Sequence, residues 1–493
     1  MASMYHSTRS TVKECSAKRA VLDGLASDGG LYVTDALGKA RIDPDDVIDR
    51  TYCENAALIL GTLLDDYAPE EIEACVKAAY GDTFASDAVA PVVSVGDDHI
   101  LELFHGPTSA FKDVALQMLP QLMSRAAAAT DERIMILAAT SGDTGKAALA
   151  GFADTPGLGI SVFYPHGGTS EIQRLQMVTQ KGDNVAVGAV RGNFDDTQSA
   201  VKHIFSDEAL RARLQERGVV LSSANSINIG RLAPQVVYYF DAYAQLVRQG
   251  SISRGDKIDF CVPTGNFGDV LAGYFALRMG LPVRKLIVAS NANNVLTDFL
   301  TTGVYDRNRA FYKTISPSMD ILISSNLERL LYYMSDGDTA LVARLMDDLA
   351  RTGRYTVPAE LLERIRAIFA CGFADDDESR AAMRECFDSH GYVLDPHTAV
   401  AWHVSRSVPK EDAAARVVLS TASPYKFCRD VCAALGIEAN GSDFDCMRAL
   451  EAASGTAAPA ALAQLESADV RFDDVMDAND MANYVERKCG ELL

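Results

Sequence analysis

Basic residues are the first shortage in this chain: 46 lysines and arginines stand against 67 aspartates and glutamates over 493 residues, a formal net charge of −21. A surface that negative excludes general binding of nucleic acid or of an anionic membrane, although a small basic pocket for an anionic metabolite stays compatible with it. The expected partner is therefore a small molecule. No run of about 18 apolar residues occurs, so no membrane-spanning helix is predicted. The opening Met1-Ala2-Ser3-Met4-Tyr5-His6-Ser7-Thr8-Arg9 has no apolar signal core, which makes the cytoplasm the expected compartment. The ten cysteines form no Cys-x-x-Cys pair, and the one close pair, Cys428 and Cys432, has helical spacing. Buried thiols in a reducing compartment follow, rather than disulfides or structural zinc. No loop carries the dinucleotide Gly-x-Gly-x-x-Gly pattern, and Lys146, after Gly145, is followed by Ala147 rather than Ser or Thr, so nicotinamide and Walker-type phosphate chemistry have no support. Internal repeats and low-complexity tracts are also missing.

What is present is length, apolar content of 48% and a regular rhythm. The size predicts two or three domains. Residues 1 to about 95 read as mostly helical after an opening turn at 24–33. Pro69-Glu70-Glu71 marks a helix start, and Ile72, Cys75, Val76 and Ala79 supply its apolar stripe. From about residue 130, apolar runs alternate with polar loops and helical patterns: Ile134 to Ala139, Ile160 to Tyr164, Val185 to Val190, Val219 to Ser222, Ile258 to Val262 and Val417 to Leu419. Strands of that kind predict parallel sheets covered on both faces, with ligands gathering at the strands' carboxyl ends. The acidic run 375–378 reads as a solvated loop, and the Ala-rich tail beyond about 440 as surface helix.

The chemistry is concentrated in four places. In His105-Gly106-Pro107-Thr108-Ser109-Ala110-Phe111-Lys112-Asp113, a turn delivers Lys112 into the first residues of a helix. A helix N-terminus disfavours a cation by about 0.3–1 kcal/mol, and apolar neighbours add desolvation, so both effects favour the neutral amine that attacks carbonyls. Ser141-Gly142-Asp143-Thr144-Gly145 lies between a strand and a helix and makes an anion cradle. Thr264-Gly265-Asn266-Phe267-Gly268-Asp269 has the same placement, with glycines that let amides approach a phosphate. Asn225-Ser226-Ile227-Asn228-Ile229-Gly230-Arg231 puts an arginine near a helix start, awkward unless an anion joins them. One reactive lysine with two or three anion seats fits a phosphorylated carbonyl cofactor and an anionic substrate, and pyridoxal 5'-phosphate is the candidate.

Together with Ser7-Thr8-Arg9, Gly24-Leu25-Ala26, Asp28-Gly29-Gly30-Leu31-Tyr32, Gly192-Asn193-Phe194-Asp195-Asp196 and Asp395-Pro396-His397-Thr398-Ala399, these motifs make the chain resemble the threonine synthases of the longer type, which carry an N-terminal extension. The resemblance implies the tryptophan-synthase-β-like, fold type II pyridoxal-phosphate class: two open parallel-sheet α/β domains plus a mostly helical N-terminal domain. The implied division is 1–95 for the N-terminal domain, 96–125 with 235–440 for a large domain, 126–234 for a small domain and 441–493 for a C-terminal helical segment. The implied reaction converts O-phospho-L-homoserine and water to L-threonine and phosphate, the last step of threonine biosynthesis, in a monomer or homodimer. Lys112 would hold the cofactor as an imine and act as the base. Gly265, Asn266, Phe267, Gly268 and Asp269 would seat its phosphate, with Thr421 near the pyridine nitrogen. Ser141, Gly142, Asp143 and Thr144 would hold the substrate carboxylate, and Asn225 with Arg231 its phosphate. His105 and His397 read as structural. Thr264 stands where the family commonly has serine. A hydroxy-amino-acid dehydratase would use Lys112 equally well but needs no phosphate seat, and a silent homologue would have lost the lysine or the loops.

Overall fold

The computed structural model describes residues 3–130, 132–140 and 142–493. Two sheets organise them. The first has five parallel strands in the order Val475–Met476, Val185–Val190, Leu158–Pro165, Arg133–Ala139 and Val219–Ser222. Leu158–Pro165 and Val185–Val190 are buried at every position, which is why their sequences run apolar instead of alternating. The second has six strands in the order Phe369–Phe373, Val283–Ser290, Ile258–Pro263, Ala415–Ser420, Asp98–Glu102 and Val92–Val95. It is not wholly parallel: its last two strands form an antiparallel hairpin at the edge.

Helices cover both sheets. Ile229–Arg248 is buried from Ile229 to Leu246 and packs against the helices Lys112–Ala128, Gly268–Met279 and Tyr52–Leu63. An all-round buried helix of this kind is a central post, and it begins at the Asn225 to Arg231 motif. The N-terminal eighty residues are helical as expected, at Ala17–Asp23, Tyr52–Leu63 and Pro69–Tyr80, but add a three-stranded antiparallel sheet of Ser10–Cys15, Tyr5–Ser7 and Tyr32–Thr34. Pro69 opens its helix, and Ile72, Cys75, Val76 and Ala79 form its buried side.

The extension is tied to the core by charge. Arg9 holds Glu328 through two hydrogen bonds of 2.8 and 2.9 Å, and Thr8 donates to the same carboxylate at 2.5 Å. The Ser7-Thr8-Arg9 motif is thus a clamp. The acidic run 375–378 opens the helix Asp376–His390, with Asp375 as its cap. Among the described residues no helix is long and apolar enough to cross a membrane.

Candidate active site

Lys112 is the first residue of the helix Lys112–Ala128, as the turn before it predicts, and is 8% exposed. The turn is held from two sides. The Phe111 N–H donates to the Thr421 carbonyl at 2.8 Å, and the Ser423 N–H donates to the Ser109 carbonyl at 3.1 Å. Ser109 itself sits at φ +58, a left-handed conformation that costs a non-glycine residue about 1–2 kcal/mol. The packed turn holds it there.

Around the Lys112 ammonium the neighbours are few and charged. Its Nζ donates to Ser318 Oγ at 3.0 Å and lies 3.6 Å from Asp143 Oδ2. Burial pushes the amine down to about 8; Asp143 opposes that fall, and Lys426 and Arg231 deepen it. Asp143 opens the helix Asp143–Phe152. Burial would raise its carboxyl, but Lys426 and Lys112 outweigh that and hold it well below the usual carboxylate range. Its side chain is therefore committed to cations. What this loop offers an anion is backbone: Thr140 Oγ1 accepts the amides of Gly142 and Gly145, and those of Asp143 and Thr144 have no partner among the described residues. Ser141, assigned to the same cradle, lies outside the described residues.

Arg231 is buried in the first turn of its helix, near enough to Lys112 for its charge to push that amine down. Its Nη1 donates to the Ala224 carbonyl at 2.9 Å, its Nε has no partner among the described residues, and burial alone brings it down to about 10. A buried guanidinium without a carboxylate calls for an anion. Asn225 is exposed, and no contact joins its side chain to Arg231.

The Thr264 to Asp269 loop follows the strand Ile258–Pro263 and closes beside Ser318: a Cβ on Gly265 would stand 3.0 Å from the Ser318 carbonyl oxygen. Phe267 takes φ +61 to turn the chain into the helix Gly268–Met279. The Asn266 carbonyl accepts from the Asn326 N–H at 3.1 Å and from Asn326 Nδ2 at 3.0 Å, and that same Nδ2 donates to the Ser226 carbonyl at 3.2 Å. Asn326 so binds this loop to the arginine's loop. Asp269 accepts the hydroxyls of Tyr238 and Tyr239 on one carboxylate oxygen, at 2.6 and 2.8 Å, so its side chain is held by the tyrosines. Thr421, buried at the end of Ala415–Ser420, gives its N–H to Thr398 Oγ1 and keeps its hydroxyl without a partner among the described residues.

The histidines are spent structurally. His397 Nε2 accepts from the Ser318 N–H at 3.1 Å, so Nδ1 carries the proton and donates to Asp395 at 2.8 Å. His105 Nε2 pairs with Glu102 at 2.8 Å. Three site residues escaped the sequence reading: Ser318, Lys426 and Asn326. Ser318 sits in the single 3-10 turn Pro317–Met319, too short to show a period, and Asn326 stands just before the helix Leu327–Met334. Lys426 follows the carboxyl end of a central strand, and that position was the available clue.

Comparison with known proteins decides the family. The family described as "Pyridoxal-phosphate dependent enzyme" matches residues 100–421, "Threonine synthase N terminus" residues 4–80, and "Threonine synthase, C-terminal" residues 398–485. The threonine synthase of Pseudomonas aeruginosa is 40% identical over 426 residues, covering 86% of this chain and 88% of that protein. The chain belongs to the threonine synthase family. The human protein named "Threonine synthase-like 1" is 41% identical over 433 residues, and the chain spans 58% of that relative's length. Among solved structures, the pyridoxal-phosphate-bound threonine synthase of Brucella melitensis matches with a TM-score of 0.89 at 38% identity, covering 99% of this chain and all of that one. The yeast threonine synthase matches at 0.88 and 34%, covering 99% of each chain. The fold type II expectation is met, and pyridoxal phosphate is the cofactor of this family. The residues present fit it: Lys112 has the amine that would hold its carbonyl carbon, and a side chain at Gly265 would crowd the loop that would seat its phosphate.

Proposed function

We propose that this protein is a lyase that converts O-phospho-L-homoserine and water to L-threonine and phosphate. The observation that carries the proposal is Arg231, a buried cation whose Nε has no partner among the described residues and whose charge reaches the Lys112 amine. A substrate with an amino-acid end and a phosphate end answers both features, whereas serine or threonine as a dehydratase substrate would leave Arg231 unneutralised.

Pyridoxal phosphate, when bound, supplies an electron sink for the carbons that lose protons. The rest falls to the chain. Lys112 would hold the cofactor's carbonyl carbon, and its Nζ, when free, is the group placed to take the proton from the substrate's Cα and to move protons between carbons. A lysine near 8 is about one-tenth neutral at pH 7, against less than a thousandth for an exposed one. The amides of Asp143 and Thr144 receive the α-carboxylate. Arg231 holds the phosphate as it leaves Cγ, a charge-assisted contact that strengthens as charge develops. The buried walls keep water away from the reacting carbons until it is needed at Cβ. Ten unpaired cysteines support a cytoplasmic location, and we extend the proposal to a monomer or homodimer.

The test is incubation with O-phospho-L-homoserine, measuring phosphate release and identifying the amino acid formed, beside ketoacid release from threonine. Threonine with equimolar phosphate is the expected result, abolished in Lys112→Ala. Ketoacid from threonine without phosphate release would overturn the proposal in favour of a dehydratase.

A further inference from the structure

Asp143 serves two lysines. Lys426 has no exposed side-chain surface, and its Nζ lies 2.7 Å from Asp143 Oδ1 and donates to the Thr108 carbonyl at 3.0 Å. Lys112 Nζ lies 3.6 Å from the other oxygen. The shorter contact therefore belongs to the lysine that has no route to a ligand. Lys426 also ties three segments together: its own turn after Ala415–Ser420, the turn that presents Lys112, and the helix start at Asp143. Gln173 Nε2 reinforces one end at 3.1 Å from Asp143 Oδ1, and Gln176 Nε2 the other at 3.2 Å from the Thr108 carbonyl. The remaining charged and titratable groups facing this cluster are Arg231 on the side of Lys112, His397 with Asp395 behind Ser318, and Asp113 and Lys146 on the side of Lys426.

A carboxylate this close to Lys112, left alone, would hold it as ammonium, the form that cannot bond to a carbonyl carbon or take a proton. We infer that Lys426 is a positioning residue for the reaction: by claiming the nearer oxygen of Asp143, it places that carboxylate beside Lys112 while preventing it from fixing Lys112 in the charged form. The inference deepens the proposed function and rests on Lys112 being the residue that holds the cofactor.

The test uses full-length protein stripped of cofactor, following uptake of added pyridoxal phosphate by absorbance across pH, with borohydride trapping and peptide mapping to confirm Lys112 as the site. In the wild type, the uptake rate rises with pH as Lys112 loses its proton. Lys426→Met leaves Asp143 to Lys112 alone and moves the midpoint up by about one pH unit, about tenfold slower uptake at a pH below both midpoints. Lys426→Arg keeps the charge and leaves the midpoint in place. Asp143→Asn removes the carboxylate and moves the midpoint down. General loosening of the fold does not produce shifts of opposite sign, and thermal melting shows which variants are folded. If Lys426→Met does not fold, Lys426→Gln takes its place, with the same upward shift expected beside the downward shift in Asp143→Asn. Unmoved midpoints, or shifts in one direction only, overturn it while uptake at Lys112 leaves the proposed function standing; no uptake at Lys112 in the wild type overturns both.

Discussion

Buried ions are expensive at the level of the single residue, so each one must be matched to what neutralises it. Arg329 is fully met: the carbonyls of Tyr32 and Ile227 and the side chain of Asn326 accept from it. Arg284 and Arg416 share Asp259. Arg231 has one carbonyl and no acid, and its cost is recovered when an anion binds. Arg231→Ala is expected to raise the KM for O-phospho-L-homoserine about 10- to 100-fold, the worth of one or two charge-assisted hydrogen bonds. The cofactor absorbance should persist, and steady-state kinetics beside a spectrum check both. Asp269 makes the opposite case. Burial pushes its carboxyl up to about 6, the hydroxyls of Tyr238 and Tyr239 pull it partly back, and Oδ2 has no partner. The folded-state value lies above the unfolded value of about 3.9, so the stability this group contributes is full below about pH 4 and is lost as pH rises through 6, roughly 3 kcal/mol in all. Asp269→Asn removes that titration. Thermal melts should show little advantage for the variant near pH 4.5 and a growing one up to about pH 7; a difference flat in pH would show that Asp269 stays ionised throughout.

Two helices carry the key pair into place, and their separation is set by one missing side chain. Lys112–Ala128 and Asp143–Phe152 pack so closely that a Cβ on Gly151 would stand 1.8 Å from the Leu116 carbonyl oxygen. Backbone cannot yield there, so Gly151→Ala must push the helices apart and carry Asp143 away from Lys112. A loss of about 1–3 kcal/mol is expected in denaturant unfolding, with weaker pyridoxal phosphate binding in an absorbance titration. Gly61→Ala, in the helix Tyr52–Leu63 with nothing within 4 Å, is the control and should be neutral or stabilising by up to about 1 kcal/mol. Such packing is invisible in sequence, whereas the strands beside it were readable. Val185 to Val190 and Val219 to Ser222 were predicted to the residue, because each is an apolar run bounded by polar loops, fully buried in the first and half-buried at its centre in the second. The hairpin of Val92–Val95 and Asp98–Glu102 was not, because its inner strand opens on Asp98 and His99, and only the tertiary fold supplies the Arg406 and Lys410 that let Asp98 be buried there. Lys112 and Arg231 were legible because each charge sits at a helix start, where the backbone dipole opposes it. Lys426 and Ser318 lie in single 3-10 turns too short to show a period, and only the tertiary fold brings them to Lys112.

Across the whole molecule, the chain's last residues complete a sheet begun more than three hundred positions earlier. Val475–Met476 adds a parallel strand beside Val185–Val190, anchored by the Ala189 N–H to the Asp474 carbonyl at 2.9 Å and the Arg191 N–H to the Met476 carbonyl at 2.9 Å. Met476, Met481, Tyr484, Val485 and Cys489 then cover one face of the five-stranded sheet, against Met135, Leu137, Phe163, Ala186 and Val190. At roughly 1.5–3 kcal/mol for each large apolar side chain buried, that cover is comparable to the 5–15 kcal/mol by which a whole domain is stable. Removing residues 474–493 is therefore expected to unfold this lobe selectively. Hydrogen exchange should show amides of Arg133–Ala139, Leu158–Pro165 and Val185–Val190 losing protection while Ile258–Pro263 and Val283–Ser290 keep theirs, since the six-stranded sheet shares none of this cover. Asp143 rides on the lobe that opens and Lys112 on the helix packed against it, so cofactor binding should fall with the protection. Equal protection of both sheets in the truncated chain would show that the tail only decorates a lobe stable without it.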